Sequence, residues 1–212
     1  NNITSGGSNV GIGSSAGGAI TTGIKNVIMG DSAGDAMTTT SNTVIIGYQA
    51  GTAINSADAN DTVAIGFRAG TAITSGQRST IIGSDAGYTL TTGDENTAVG
   101  YNALYHNVTG NQNTAIGRGA GARFMAADST ALGYYAGHYA SGSGNTFLGT
   151  QAGMGGITGA PYSSGQYNTA VGWRALDAFS TGGNNTAVGS QALSSITTGT
   201  LNVGLGYDAG AA

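Results

Sequence analysis

The chain has 212 residues, of which 40 are glycine, one is proline and none is cysteine, and its formal net charge is −4 at pH 7. Glycine does not recur at every third position, which excludes collagen, and the lack of cysteine excludes disulfides and thiolate metal sites. Six scattered lysine and arginine residues argue against nucleic-acid binding, and no apolar run is long enough for membrane insertion. Because the sequence starts at asparagine without a signal-peptide pattern, we interpret it as a fragment of a longer fibrous protein.

A repeat of about 17 residues covers the whole chain. Each copy contains a short string similar to Asn-Thr-Ala-Val-Gly, and we number every copy from the glycine that closes this string, position 0. The sequence predicts a single repeat domain over residues 1–212, with loop insertions near 52–61 and 154–167, where the interval between successive anchors is longer than in the other coils. The twelve anchor glycines are Gly13, Gly30, Gly47, Gly66, Gly83, Gly100, Gly117, Gly133, Gly149, Gly172, Gly189 and Gly206.

The three residues before each anchor glycine have the pattern of a short β-strand. Position −3 is valine or threonine and position −1 is aliphatic, a period of two that uses residues favoured in strands. Position −2 is also small or apolar, so both faces of the strand are expected to be buried. We predict that −1 lines the interior of the coil and that −2 packs against other chains. These core or trimer positions are Ile28, Ile45, Ala64, Ile81, Ala98, Ala115, Ala131, Phe147, Ala170 and Ala187.

Glycine recurs at the positions where a coil must turn. It is common at −7 and +4 as well as at 0, while alanine at +3 and a large apolar residue at +7 complete a thin core. The pattern predicts an all-β fold, a β-solenoid (β-roll) of twelve coils with two short strands per coil. Ordering each residue costs about 1.5 kcal/mol, so burial in so thin a core leaves one chain little net free energy of folding. We therefore expect a parallel homotrimer that buries the second face of the strand.

The repeat resembles those of two kinds of surface fibre. Residues 96–104 (NTAVGYNAL) and 109–117 (TGNQNTAIG) resemble the repeats of bacteriophage tail-fibre proteins. They are also similar to the head repeats of trimeric autotransporter adhesins, whose motif resembles Ser-Val-Ala-Ile-Gly. The resemblance implies a trimeric β-roll that forms a rigid shaft or head on a virion tail or, alternatively, on a bacterial cell surface. Adhesin repeats are typically shorter than the repeat of this chain, which favours the phage interpretation.

This resemblance implies an attachment protein whose partners are further copies of itself, other virion tail proteins and a glycan or protein receptor on the host surface. Aromatic residues supply the candidate receptor contacts. Position +1 is aromatic in half of the coils, where rings either stack on sugars or pack over the neighbouring coil. The long interval before Gly172 supplies further aromatic candidates, in a loop that either binds the receptor or has no binding role. The candidates are Tyr162, Tyr167, Trp173, Tyr48, Phe67, Tyr101, Tyr134 and Tyr207.

No catalytic residue, cofactor or metal site is predicted. His106 and His138 occupy different repeat positions, +6 and +5, so we expect two solvated loop histidines rather than a shared metal site. A polysaccharide-degrading tailspike would need carboxylates such as Asp31 and Asp85 to meet between chains. Threonine recurs at −3, as in an ice-binding solenoid, but its place on the same face as −1 predicts burial and favours an attachment protein.

Overall fold

The computed structural model describes residues 7–156 and 162–210, and these residues form an all-β solenoid. Each strand has three residues and ends directly before an anchor glycine. The helical content of the described residues is a single turn of 3-10 helix, Ala57–Ala59, in the first insertion. The strands are β1 (Val10–Ile12), β2 (Val27–Met29), β3 (Val44–Ile46), β4 (Val63–Ile65), β5 (Thr80–Ile82), β6 (Thr97–Val99), β7 (Thr114–Ile116), β8 (Thr130–Leu132), β9 (Thr146–Leu148), β10 (Thr169–Val171), β11 (Thr186–Val188) and β12 (Val203–Leu205).

The strands form one parallel sheet in which each strand pairs with the strand one coil away, in the order β1 to β12. Pairing joins equal repeat positions, such as Thr97 with Thr114. Thr146 also pairs with Thr169 across the long insertion, so the insertion does not change the register of the strands. At about 4.8 Å between strands, the eleven intervals give a sheet about 53 Å long. The β-solenoid prediction is confirmed.

The prediction of two strands per coil is wrong for the described residues, which have one. The opposite side of the coil is built from turns, because positions +2 and +4 adopt left-handed backbone conformations, as in Asn102 (φ 57°) and Leu104 (φ 51°). These turns still bond to the neighbouring coil: the Leu104 amide donates to the Ala120 carbonyl at 3.1 Å. The coils are therefore joined along both sides, although extended strands occur along one side only.

The interior of the solenoid is lined by positions −2, +3 and +7. All ten predicted core or trimer residues from Ile28 to Ala187 are fully buried within the single chain, so they form its core and do not face other chains. Positions −3 and −1 of the same strands point outward and are exposed or half-buried. The predicted assignment of the two strand faces was therefore inverted. These ten residues at −2, which range from alanine to Phe147, fill a slot that the alanines at +3 also line.

Large and small residues compensate for one another within this slot. Phe147 occupies a −2 position that is alanine in the adjoining coils, and the +7 position of its coil is a glycine, Gly156. Phe147 packs between Phe124 and Phe179, with ring centroids 6.4 Å and 5.6 Å away. Three aromatic rings therefore fill the core where the chain also accommodates its longest insertion.

A buried ladder of side-chain hydrogen bonds runs along position −4. The Asn113 side-chain oxygen accepts from the backbone amide of Ser129 (3.1 Å), and its side-chain amide donates to the carbonyl of Ala126 (2.9 Å). The backbone amide of Asn113 in turn donates to the side-chain oxygen of Asn96 (3.0 Å). Each such asparagine thus satisfies polar groups of the next coil in the interior. The fully buried asparagines of this ladder are Asn26, Asn113, Asn145, Asn168 and Asn185.

We expect Asn113→Ala to destabilise the chain by about 2–4 kcal/mol, because it leaves the buried Ser129 backbone amide and the half-buried Ala126 carbonyl without their side-chain partner. Asn113→Ser is the matched control, since Ser129 occupies the same position in the next coil and its hydroxyl accepts from the Asn145 amide at 3.2 Å. Denaturant unfolding followed by circular dichroism measures both variants. Equal losses for alanine and serine would contradict a role for the side-chain acceptor.

Candidate functional site

The side of the sheet that points away from the core is an apolar surface. We define the outer sheet face as positions −3 and −1 of β1–β12 together with position +1, which lies on the same side. Its row at −1 is aliphatic in every coil, and no member is buried. Ile116 in the middle of the solenoid is 37% exposed and Leu132 is 42% exposed. The second apolar face predicted from the sequence therefore exists, but it is formed by −1 and not by −2.

Six of the predicted receptor contacts form the aromatic part of this face. Tyr48 and Phe67 stack on one another from adjacent coils, with centroids 5.6 Å apart and planes 13° apart. The guanidinium carbon of Arg118 lies 5.6 Å and 5.9 Å from the ring centroids of Tyr101 and Tyr134, in the coils on either side. The rings therefore pack over neighbouring coils and stay exposed. The exposed aromatic residues at +1 are Tyr48, Phe67, Tyr101, Tyr134, Trp173 and Tyr207.

The aromatic residues around the long insertion have different surroundings. Tyr167 is 61% exposed and lies two residues before β10, whereas Trp173 lies two residues after it, on the outer sheet face. Tyr162 is half-buried, and its ring lies 4.3 Å from the guanidinium carbon of Arg123. Residues 157–161, at the centre of the predicted binding loop, lie outside the described residues. Ser163 returns the chain to the solenoid through a parallel bridge to Ala140.

A second candidate site lies on the edge of the solenoid formed by positions +5 and +6. A cleft of about 170 Å³, here called the histidine cleft, is lined by Asn102, Tyr105, His106, Ala122, Arg123 and His138. The structure thus brings both histidines to one cleft, where two unrelated solvated loop histidines were predicted. His106 and His138 belong to the two coils that flank the coil of Arg123. Positions +5 and +6 are neighbours along the chain, so in-register stacking of the coils brings both histidines to the same edge.

Both histidines of the cleft are biased toward the neutral form. Partial burial lowers the pKa of His106 below its ordinary value of 6.5, and the nearby charges of Arg123 and His138 lower it further. Burial also lowers the pKa of His138. A hydrogen bond to the Gly119 carbonyl acts in the opposite direction and raises this pKa, whereas the charge of Arg123 lowers it further. In that bond His138 Nδ1 lies 2.8 Å from the carbonyl oxygen. A carbonyl can only accept, so Nδ1 carries the proton and Nε2 is the nitrogen that titrates.

A larger cavity of about 450 Å³ lies farther along the same edge, beside the insertion. Its lining includes Met154, Arg174, Asp177 and Gln191. Arg174 Nε donates to Asp177 Oδ2 at 2.6 Å, so the charged groups of this cavity neutralise each other. This pair leaves the cavity without an uncompensated charge to select a ligand.

Asp31 and Asp85 do not form a hydrolytic pair within one chain. Asp85 is buried and binds Arg68 of the preceding coil at 2.8 Å. Asp31 lies three coils from Asp85, about 14 Å along the sheet, beyond the roughly 5–9.5 Å that separates glycosidase carboxylates. Among the described residues no group of three or more histidine, aspartate or glutamate side chains is placed to hold a metal ion. In the same residues, no helix is long and apolar enough to cross a membrane.

Comparison of the chain with protein-family models, with curated proteins and with solved structures gives no match. The features of the structure that bear on its function are therefore the outer sheet face and the two edge cavities.

The threonines at −3 also point outward. Thr80, Thr97 and Thr114 are half-buried at the outer sheet face, and Thr130 and Thr146 are exposed. The prediction that they are buried is wrong, for the same reason that the strand faces were inverted. The tyrosines at +1 are a sequence signal that does identify the outer face. Positions −3, −1 and +1 are assigned to one side, and the tyrosine hydroxyl groups at +1 favour contact with water.

Proposed function

We propose that the chain is a structural attachment protein, a shaft or head segment of a phage tail fibre in which three parallel copies pack their outer sheet faces around a common axis. The observation that carries the proposal is the exposed aliphatic row at −1, continuous over twelve coils and flanked by exposed aromatic rings. A contiguous apolar surface of this kind is typical of an interface between proteins.

The dimensions of the face support burial by other copies. Twelve strands at about 4.8 Å and five residues at about 3.3 Å give a surface about 53 Å by about 13 Å, about 700 Å². Threonines at −3 and polar residues at half of the +1 positions make part of this area polar, but its size approaches the roughly 800 Å² that each partner buries in a stable complex. A rod with in-register coils presents the same residue types along its whole length, which suits parallel copies.

The proposal places the protein on a virion tail, where the rod would hold or contribute to the part that recognises a glycan or protein receptor on the host. The head of a bacterial trimeric adhesin is the alternative with the same architecture. In either case the edge at +5 and +6 would remain available for a receptor, because it is not part of the outer sheet face.

The mass of the protein in solution tests the assembly. Size-exclusion chromatography with light scattering is expected to give three times the 20.6 kDa mass of one chain. A folded protein that remains at the mass of one chain at micromolar concentrations would contradict the proposal, because its apolar face would then be stable in water.

The outward threonines favour one second candidate, an ice-binding solenoid. Seven of the twelve coils have threonine at −3, in register along the sheet: Thr80, Thr97, Thr114, Thr130, Thr146, Thr169 and Thr186. The rings at +1 oppose this function, since they project from half of the coils and interrupt a flat array. A single-chain species with thermal hysteresis would support ice binding, and a trimer without it would support the attachment protein.

A further inference from the structure

The edge of the solenoid at +5 and +6 departs from the repeat in four consecutive coils. Position +6 is alanine in each of the first four coils: Ala19, Ala36, Ala53 and Ala72. In the next four coils the two edge positions instead carry Tyr88, Tyr105, His106, Arg123, His138 and Tyr139. The first coils form the same solenoid without such residues, so the fold does not require them, and both histidines of the chain lie in this segment.

The aromatic residues of this segment make two groups of contacting rings, one on each side of the histidine cleft. Tyr88 and Tyr105 stack with centroids 5.2 Å apart, and Tyr105 meets the edge of His106 at 4.6 Å. Two coils farther on, His138 contacts the rings of Tyr135 and Tyr139, each with its centroid 4.5 Å away. The histidine cleft lies between the two groups, and it spans three coils, about 10 Å.

Arg123 gives the cleft an unpaired positive charge. No hydrogen bond or ion pair joins its guanidinium group to another described residue, whereas Arg68, Arg78 and Arg174 each bind a carboxylate. Its described partner is the ring of Tyr162, 4.3 Å away, which positions the group without neutralising it. A planar guanidinium held in this way matches the two oxygens of a carboxylate.

Asn102 adds an unsatisfied acceptor to the same cleft. Its side-chain oxygen is buried and has no hydrogen-bond partner. An acceptor of this kind requires a donor, such as a hydroxyl group. The cleft therefore combines a cation for an anionic group, an acceptor for a hydroxyl and aromatic rings that can stack on an apolar ring face.

We propose that the histidine cleft binds a sugar residue that carries a carboxylate, with Arg123 on the carboxylate and Asn102 on a ring hydroxyl. A cleft of about 170 Å³ is smaller than the roughly 300–1,000 Å³ that holds drug-sized ligands, so it takes one terminal sugar and not a chain. The inference rests on the proposed attachment function, because it names the chemistry of the receptor. Its binding site belongs to one chain, so a failure of binding and a failure of assembly are separate results.

The proposal predicts that binding strengthens as the pH falls. His106 is surrounded by Tyr105, Arg123 and His138, and His138 by Tyr135, Tyr139 and Arg123, with no acidic group among them. Their pKa values lie below 6.5 without ligand, and a bound carboxylate raises them because it stabilises the imidazolium form. Binding therefore takes up protons, and affinity increases as the pH falls through this range and decreases above it.

Histidine NMR on the whole chain provides the test, because its two histidines give one ring Hε1 signal each. Methyl glucuronide is expected to shift both signals saturably and to bind at least about three-fold more tightly at pH 5.5 than at pH 7.5. Methyl glucoside, which lacks the carboxylate, and acetate, which lacks the sugar, are expected to bind at least about ten-fold more weakly. Equal binding of either control compound would overturn the proposal, as would unchanged histidine signals.

Two arginine variants separate the cleft from general charge effects. Arg123→Gln is expected to weaken methyl glucuronide binding at least about ten-fold. Arg78→Gln removes the same charge from an exposed ion pair with Glu95 and is expected to leave binding unchanged. Arg123→Lys, which keeps the charge and most of the packing on Tyr162, should retain part of the affinity if Arg123→Gln impairs folding. Equal affinities for Arg123→Gln and Arg78→Gln would overturn the assignment of Arg123.

Discussion

Replacing Gly100 with alanine is expected to destabilise the solenoid by about 3–5 kcal/mol or to prevent its folding. Gly100 has a φ of 134°, outside the regions that residues with a side chain favour. A Cβ atom at this position would lie 2.6 Å from the carbonyl oxygen of Gly117 in the next coil. The backbone cannot easily move away, because the Gly100 amide donates to the Ile82 carbonyl at 2.7 Å. Denaturant unfolding followed by circular dichroism measures the loss.

Gly206→Ala is the matched control for this prediction. Gly206 has a φ of 112°, but it closes the last strand, and no atom lies within 4 Å of the site where its Cβ would be. This variant therefore carries the conformational cost without the collision between coils, and it should lose clearly less stability than Gly100→Ala. If the two variants lose the same stability, the stacking of anchor glycines is not what restricts the position to glycine.

Replacing Ile116 with glutamate is expected to convert the assembled protein to single chains while the solenoid stays folded. Ile116 lies at −1 in the middle of the outer sheet face and is 37% exposed, so one chain accommodates the carboxylate in water. In a trimer, three carboxylates would be buried without partners around one axis, at a cost of several kcal/mol per chain. Light scattering measures the mass, and circular dichroism verifies the fold.

Met125→Glu adds the same charge to the same coil at an exposed apolar position outside the outer sheet face, so it is the control for net charge. It should leave the mass of the assembly unchanged. A trimer that persists in Ile116→Glu would mean that copies associate through another surface, and the proposed packing of outer sheet faces would then be wrong.

Gly100→Ala and Ile116→Glu are expected to have different effects, because neighbouring positions of the repeat face different surroundings. Position −2 is filled by the core of its own chain, whereas position −1 is left open in that chain. The solenoid consequently has a complete interior without partners, although its outer sheet face is apolar. Anchor substitutions are therefore expected to act on the fold of each chain, and substitutions at −1 on the association of chains.

The histidine cleft could not be predicted from the spacing of its residues. His106, Arg123 and His138 lie in three successive coils, at unequal spacing and at two different repeat positions. They meet because coils stack in register and because +5 and +6 are neighbouring positions on one edge of the solenoid. The segment is nevertheless visible in the sequence as a departure from the repeat. Position +6 is alanine in the first four coils and is threonine, histidine, arginine and tyrosine in the next four.

The sequence alone determined the architecture of this protein. Twelve anchor glycines at nearly constant spacing, each preceded by a three-residue β pattern, are sufficient to predict a solenoid with in-register coils, since each coil has only its neighbours to pair with. The tertiary structure decided which side of the strand faces inward. A period of two separates two faces but does not orient them when both are apolar; in the folded chain −2 packs inside with the alanines at +3, and −1 points outward. The same stacking decided which distant side chains share a cleft.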